Sequence, residues 1–103
     1  MAEFVKAVRR AELVPGKGTM VELDGVKIAI FNVDGAFYAM NDTCTHASGP
    51  LSEGELDGTV VTCPWHGAAF DVKTGSVRGS PASDSVRSYE VKVEGEDVLV
   101  KVG

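Results

Sequence analysis

Two short segments, Cys44-Thr45-His46 and Cys63-Pro64-Trp65-His66, contain every cysteine and every histidine of this 103-residue chain. Residues 47–62 separate the two segments. Thiolates and imidazoles are ligands for zinc, copper and iron–sulfur centres, and two loops that each supply one of each could close on a metal from opposite sides. Zinc sites with two Cys and two His usually take both Cys from one loop and both His from the other. The mixed spacing therefore indicates a different kind of centre.

Alternating apolar and polar residues dominate the chain on both sides of these segments. The alternation runs through residues 19–23 and 26–30 before them, and through 88–93 and 98–102 after them. A period of two predicts half-buried strands, and the Asp-Gly pairs between them suit tight hairpins. We therefore expect an all-β fold, an antiparallel β sandwich or barrel, with at most one helical turn over residues 11–15.

The middle of the chain is rich in Gly, Ser and Pro. Residues 42–57 and 75–84 are predicted to be long loops, and such loops in a compact domain usually carry function. We expect one domain over residues 1–103. Its β base is formed by residues 1–41 and 82–103, and a loop-rich subdomain of residues 42–81, inserted into that base, holds both Cys/His segments.

Composition excludes several classes of function. The chain has 10 Lys and Arg against 15 Asp and Glu, a net charge of −5, and no basic stripe, which argues against nucleic-acid binding. The longest apolar run, residues 36–40, is far shorter than the ~20 residues of a membrane span, and no signal peptide is visible. We therefore expect no membrane contact and a cytoplasmic location, where cysteines more often bind metal or catalyse than form a disulfide.

The pattern Cys-x-His, sixteen residues, Cys-x-x-His resembles the motif of Rieske proteins, and the order of strands and loops is similar over nearly the whole chain. The resemblance implies the Rieske fold and one [2Fe–2S] cluster, with Cys44 and Cys63 on one iron and His46 and His66 on the other. The segment 79–82, Gly-Ser-Pro-Ala, is similar to the proline-bearing loop that covers the cluster in the family.

Within the family, the chain resembles the ferredoxin components of multicomponent ring-hydroxylating dioxygenase systems. The mononuclear iron of Rieske oxygenases needs two further His and a carboxylate, and no further His is present. The resemblance implies a monomeric one-electron carrier, not an enzyme. It would pass electrons from an NAD(P)H-dependent flavoprotein reductase to a terminal oxygenase, often one acting in aromatic hydrocarbon catabolism.

Three other interpretations stay open at this point. A small Rieske subunit of NAD(P)H-dependent nitrite reductase would form a stable complex with a large sirohaem subunit. A structural Cys2His2 zinc module used for binding would be colourless, whereas a Rieske protein is red-brown. A metal-free interaction domain would leave the paired Cys and His spacings unexplained.

The predicted tip around the two segments has no charged residue within 44–52 or 63–70. Its apolar side chains could either dock a partner or shield the cluster, and an acidic edge follows them. We expect Trp65 and Phe70 to shield. The other candidates are Ala47, Pro50, Leu51 and Pro64 for the apolar patch, and Glu53, Glu55 and Asp57 for the acidic edge. Asp71 is expected to be a turn or solvent-facing residue, and Tyr38 and Tyr89 to be packing residues.

The reduction potential is predicted to be low. By the same resemblance, Gly49 and Trp65 stand where high-potential relatives have two further cysteines in a disulfide, and Ala68 and Phe70 follow where those relatives place Ser and Tyr hydroxyls against the cluster. Fewer hydrogen bonds to sulfur leave the charge of the reduced state less stabilised. We expect a midpoint near the low end of the ~−150 to +300 mV Rieske range. A redox titration that gives a midpoint above zero would contradict this.

Overall fold

The computed structural model describes residues 3–43, 49–65, 67–79 and 85–102. The described part is nearly all β, as predicted. In chain order its strands are β1 (Glu3–Arg9), β2 (Gly18–Leu23), β3 (Val26–Val33), β4 (Ala36–Asn41), β5 (Glu55–Asp57), β6 (Val60–Thr62), β7 (Ala69–Asp71), β8 (Val77–Gly79), β9 (Ser88–Tyr89), β10 (Val91–Glu94) and β11 (Asp97–Val102). Two 3-10 helices span Arg10–Glu12 and Leu51–Glu53. Neither described helix has the length or apolar character needed to cross a bilayer.

All described strand pairs are antiparallel, and they form three sheets with the orders β1-β11-β10, β2-β3-β4-β9 and β5-β6-β7-β8. The Asp-Gly pairs form the tight turns that were predicted. Asp24 and Gly25 connect β2 to β3, and Asp34 and Gly35 connect β3 to β4, with all four φ angles positive. Positive φ at both central residues is the geometry of a type I′ hairpin turn, whose twist matches that of the strands.

Strand β3 is covered on both faces. Ile28 and Ile30 lie in a core cluster with Val98 and Val100 of β11, so one face packs against the β1-β11-β10 sheet. Alternate residues of β3 point the other way and lie in a second cluster with side chains from the third sheet and the loops beside it. Ala29 and Phe31 supply β3's part of this second cluster, and its other buried members are Met40, Leu51, Val61, Cys63, Ala68, Phe70, Val72 and Val86.

The expectation that residues 26–30 form a half-buried strand is therefore wrong for most of β3. Val26 and Lys27 are exposed, but every residue from Ile28 to Asn32 is buried. Asn32 is the one polar residue in that run. Its side-chain amide donates to the Leu13 carbonyl at 2.8 Å, and its side-chain oxygen accepts from the Gly35 N–H at 2.8 Å. A polar side chain is tolerated there because both of its ends are hydrogen-bonded.

The predicted loops also contain regular structure. Residues 42–57 include the Leu51–Glu53 helix and β5, and residues 75–84 include β8, so two parts of the loop predictions are wrong. Strands of three residues are too short to display an alternating pattern. The third sheet lies wholly within residues 42–81, while the division into base and subdomain at those boundaries stays a prediction.

The alternation predicted as one strand over residues 88–93 is divided between two sheets. β9 pairs with β4, whereas β10 pairs with β11. Glu90 lies between them, and its carbonyl accepts the Lys101 N–H at 2.9 Å. The predicted helical turn over 11–15 is present as the Arg10–Glu12 helix, which begins and ends earlier than predicted.

Candidate metal centre

Cys63 lies in the connection between β6 and β7, and its side chain is buried within the second core cluster. Its N–H donates to the Ala68 carbonyl at 2.7 Å, and its carbonyl accepts the Gly67 N–H at 3.1 Å. Gly67 has a φ of 78°, which favours glycine. These bonds form a tight turn that ties Cys63 to Gly67 and Ala68 and fixes the Cys63 backbone, with the side chain buried.

Asp42 closes the other segment. Its carbonyl accepts the Leu51 N–H at 2.7 Å, and its carboxylate Oδ1 accepts the Ser52 N–H at 2.7 Å. An isolated bridge pairs Thr43 with Pro50. Asp42 is itself buried, so removing its carboxylate would leave a buried N–H unpaired, at a cost of about 1–3 kcal/mol. Asp42 is thus bonded to two residues, Leu51 and Ser52, that follow the segment with Cys44 and His46 in the chain.

Sequence analysis missed this role of Asp42. The available signal was its position at the end of a strand and before a loop rich in Ser, Gly and Pro, where Asp side chains often bond nearby backbone N–H groups.

Gly49, the first described residue after the segment that contains Cys44 and His46, lies against Cys63 of the other segment. A Cβ atom added to Gly49 would lie 2.8 Å from the Cys63 Sγ and 3.0 Å from Cγ of Trp65. The Cys63 sulfur therefore lies against the residue that directly follows 44–48, which suits a metal centre held by both loops. Of the four predicted ligands only Cys63 lies within the described residues, because Cys44, His46 and His66 fall outside them.

Coordination by all four residues accordingly stays a prediction. Within the described ranges no group of three or more His, Cys, Asp or Glu side chains could hold a metal. The described geometry fits the predicted cluster, since a buried thiol, a tight turn and the end of the other Cys/His loop are in contact. The segment 80–84, which includes Pro81 of the predicted covering loop, also lies outside the described residues.

Comparison with known proteins identifies the family of the chain. The Rieske [2Fe-2S] domain family matches residues 3–90. The chain belongs to the Rieske [2Fe-2S] family. The biphenyl dioxygenase ferredoxin subunit of Pseudomonas sp. (strain KKS102) is 47% identical over 98 residues, which cover 94% of this chain and 90% of that protein.

Solved structures show the same fold. A chain from the complex of reduced oxygenase and oxidized ferredoxin in carbazole 1,9a-dioxygenase superposes with a TM-score of 0.89 at 40% identity, covering 94% of this chain and 91% of that one. A structure assigned to the small subunit of an NADH-dependent nitrite reductase from Mycobacterium tuberculosis also gives a TM-score of 0.89, at 26% identity, covering 100% of this chain and 97% of that one.

These findings confirm the Rieske fold and one Rieske-type [2Fe–2S] cluster. The curated relatives are ferredoxin components, so this Rieske protein is an electron carrier rather than an enzyme. The zinc module and the metal-free domain are not supported, and the nitrite reductase alternative is the weaker one because its sequence identity is lower.

The predicted docking residues differ in their exposure to solvent. Leu51 and Phe70 are fully buried, so neither can contact a partner. The docking candidate Leu51 is therefore wrong, and shielding of the cluster by Phe70 stays a prediction. Pro64 and Trp65 are exposed, Pro50 is half-buried, and Ala47 lies outside the described residues. The acidic edge is present on the surface, where its three carboxylates share a groove with Cys63 and Pro64. Its residues are Glu53, Glu55 and Asp57.

The two tyrosines are packing residues, as predicted. Tyr38 packs against the second cluster and Tyr89 against the first, and the Tyr89 hydroxyl donates to the Asn41 side-chain oxygen at 2.6 Å.

Asp71 is a turn residue, as expected, but the expectation that it faces solvent is wrong. It lies buried in β7, where one carboxylate oxygen accepts the Lys73 N–H at 2.8 Å and the other is paired with the Arg78 guanidinium at 3.1 Å. Burial by itself raises the pKa of Asp71, but the Lys73 N–H and the Arg78 cation favour the carboxylate more strongly, so the pKa lies below its ordinary value. The pair links β7, which follows the Cys63 turn, to β8.

Replacing Asp71 with Asn should therefore destabilise the protein at neutral pH. The variant loses the charge-assisted bond to Arg78, at a cost of about 1 kcal/mol. Because the folded pKa is depressed, this stabilisation is present above the ordinary value of 3.8 and is lost as pH falls through the lower folded value. The difference between the urea midpoints of wild type and Asp71→Asn should be smaller at pH 3 than at pH 7. The control Glu22→Gln, at an exposed site, should have the same urea midpoints as wild type. A midpoint difference between wild type and Asp71→Asn that does not change with pH would contradict the role of the Asp71 carboxylate.

Proposed function

We propose that this Rieske protein passes single electrons from an NAD(P)H-dependent flavoprotein reductase to a terminal oxygenase that hydroxylates aromatic compounds. The observation that carries the proposal is the nearly full-length likeness to a biphenyl dioxygenase ferredoxin subunit. The likeness to a chain from a solved oxygenase–ferredoxin complex supports the oxygenase as the electron acceptor. The reductase, the cytoplasmic location and the monomeric state are further parts of the proposal.

The proposed ligands are Cys44, His46, Cys63 and His66. When bound, a [2Fe–2S] cluster supplies one-electron transfer. Two thiolates and two neutral imidazoles place less negative charge around the irons than four thiolates do, so an electron is added more easily. The imidazoles would hold the iron that receives the electron.

The residues around Cys63 define the environment in which a bound cluster would hold that electron. Cys63 is 2% exposed, so water is kept from its sulfur, and Ala68 and Phe70 bring no hydroxyl to it. The bonds from Cys63 to Gly67 and Ala68, and from Asp42 to Leu51 and Ser52, restrain the described parts of both loops. Restrained loops change little when the charge changes, which favours rapid electron transfer.

The surface beside Cys63 suits a brief encounter with a partner. Pro64 and Trp65 offer uncharged contact, and the carboxylates of Glu53, Glu55 and Asp57 border it. No salt bridge joins these three carboxylates to any residue within the described ranges. Complementary charge accelerates association more than it strengthens the complex, so we infer a basic rim on the partner's docking face.

Rapid mixing tests the proposal directly. The protein, oxidised and kept under nitrogen, should be reduced by NADH and the reductase of a biphenyl dioxygenase system, and then reoxidised by the matching oxygenase, with one electron transferred per chain. Both association rates should fall as ionic strength rises. Co-purification with a large sirohaem subunit, together with electron transfer only inside that complex, would favour the nitrite reductase alternative instead.

Replacing His66 with Cys tests the ligand set. A thiolate in place of a neutral imidazole adds negative charge, so the midpoint potential should fall toward the ~−400 mV of plant-type ferredoxins. Electron paramagnetic resonance of the dithionite-reduced variant should show a higher average g value than wild type. Val14→Cys, which adds an exposed cysteine elsewhere, serves as the control and should leave both readouts unchanged. A variant that retains the wild-type potential would remove His66 from the ligand set.

A further inference from the structure

Trp65 is the most exposed of the large apolar side chains described, with 58% of its surface accessible. Its inner edge nevertheless lies on the backbone of Gly49. A Cβ atom at Gly49 would be 3.0 Å from Cγ and 3.1 Å from Cδ2 of the indole, and 2.8 Å from the Cys63 Sγ. Gly49, which follows the first Cys/His segment, thus lies against both Cys63 and Trp65 of the second.

The requirement for glycine at this position comes from packing. The φ of Gly49 is outside the left-handed range, unlike that of Gly67 or Gly75. Any side chain at position 49 would instead displace the indole, the sulfur or both. Gly49 is itself buried, whereas Pro64 and Trp65 on the facing segment are exposed. Because the indole lies against Gly49, it covers Gly49 from the solvent side.

We propose that Trp65 is a positioning residue whose contact with Gly49 holds the two ligand-bearing loops together and keeps water from the Cys63 sulfur. The inference rests on the proposed binding of the cluster by Cys63. Without the indole, water reaches that sulfur and donates hydrogen bonds to it, which stabilises the reduced state. The Gly49–Trp65 contact thereby helps to keep the potential low and slows loss of the cluster.

Substitutions at Trp65 distinguish the effect of an aromatic ring that covers Gly49 from the effect of the size of the side chain. In the holoprotein, Trp65→Ala should raise the midpoint potential and shorten the half-life of the visible absorption of the cluster about tenfold, which corresponds to ~1.4 kcal/mol. Trp65→Phe keeps a flat ring on Gly49 and should restore most of both values. The control is Val14→Ala, because Val14 is 56% exposed and lines a different part of the surface, beside Pro15 and Phe37. It should match wild type.

A double-mutant cycle tests the contact itself. Gly49→Ala should also accelerate cluster loss, since its methyl group meets both the indole and the sulfur. In the Trp65→Ala background only the contact with the sulfur remains, so the combined effect on the rate should be smaller than the product of the two single effects.

Trp65 is the single tryptophan of the chain, so intrinsic fluorescence reports on this contact alone. Acrylamide should quench the emission more strongly in Gly49→Ala than in wild type, because the added methyl group lifts the ring from the surface.

The outcomes are distinct. The proposal would be overturned if the two substitutions of the cycle acted independently on the rate of cluster loss. It would also be overturned if Trp65→Phe lost the cluster as fast as Trp65→Ala, or if the potentials of both Trp65 variants equalled that of Val14→Ala. A wild-type protein without a Rieske resonance signal would instead overturn the proposed cluster ligation. A normal wild-type signal with unaffected variants removes only the role of Trp65. If Gly49→Ala does not fold, the Trp65 series and its potentials still decide the matter.

Discussion

Burial of β3 on both faces is the constraint on which the rest of the structure depends. Ile28 and Ile30 pack toward β11, while Ala29 and Phe31 pack toward the sheet that presents Cys63. Each fully buried side chain of the size of Ile or Phe contributes roughly 1.5–3 kcal/mol. One strand therefore joins two cores, and apolar packing attaches the β5-β6-β7-β8 sheet to the other two sheets.

Two carboxylates near the site add hydrogen bonds to this apolar packing. Asp42 holds the first loop by accepting a backbone N–H, and Asp71 joins β7 to β8 through Lys73 and Arg78. Both carboxylates are buried, so leaving either without its hydrogen-bond partners would be costly. The electron carrier needs such restraint, because a cluster whose ligands move little can change charge with little rearrangement of the protein.

Much of the fold could be predicted because it follows from local chemistry. Asp24-Gly25 and Asp34-Gly35 form tight turns since glycine accepts positive φ and Asp tolerates it. The predictions were wrong where tertiary neighbours decided the outcome. Alternation over 26–30 could not reveal a second covered face, and the three-residue strand β5 was missed because its ladder depends on β6.

The sequence by itself determined the family, because its Cys and His pattern resembles the Rieske motif, and it determined the all-β class through period-two patterning. Which residues hold the cluster stays a prediction. Only the tertiary structure decided which tip residues are exposed, since Leu51 and Trp65 are both apolar yet one is fully buried and the other faces solvent. It also decided that Gly49 touches Cys63 and Trp65. Burial and contact between distant segments arise from packing of the whole chain, which no local pattern encodes.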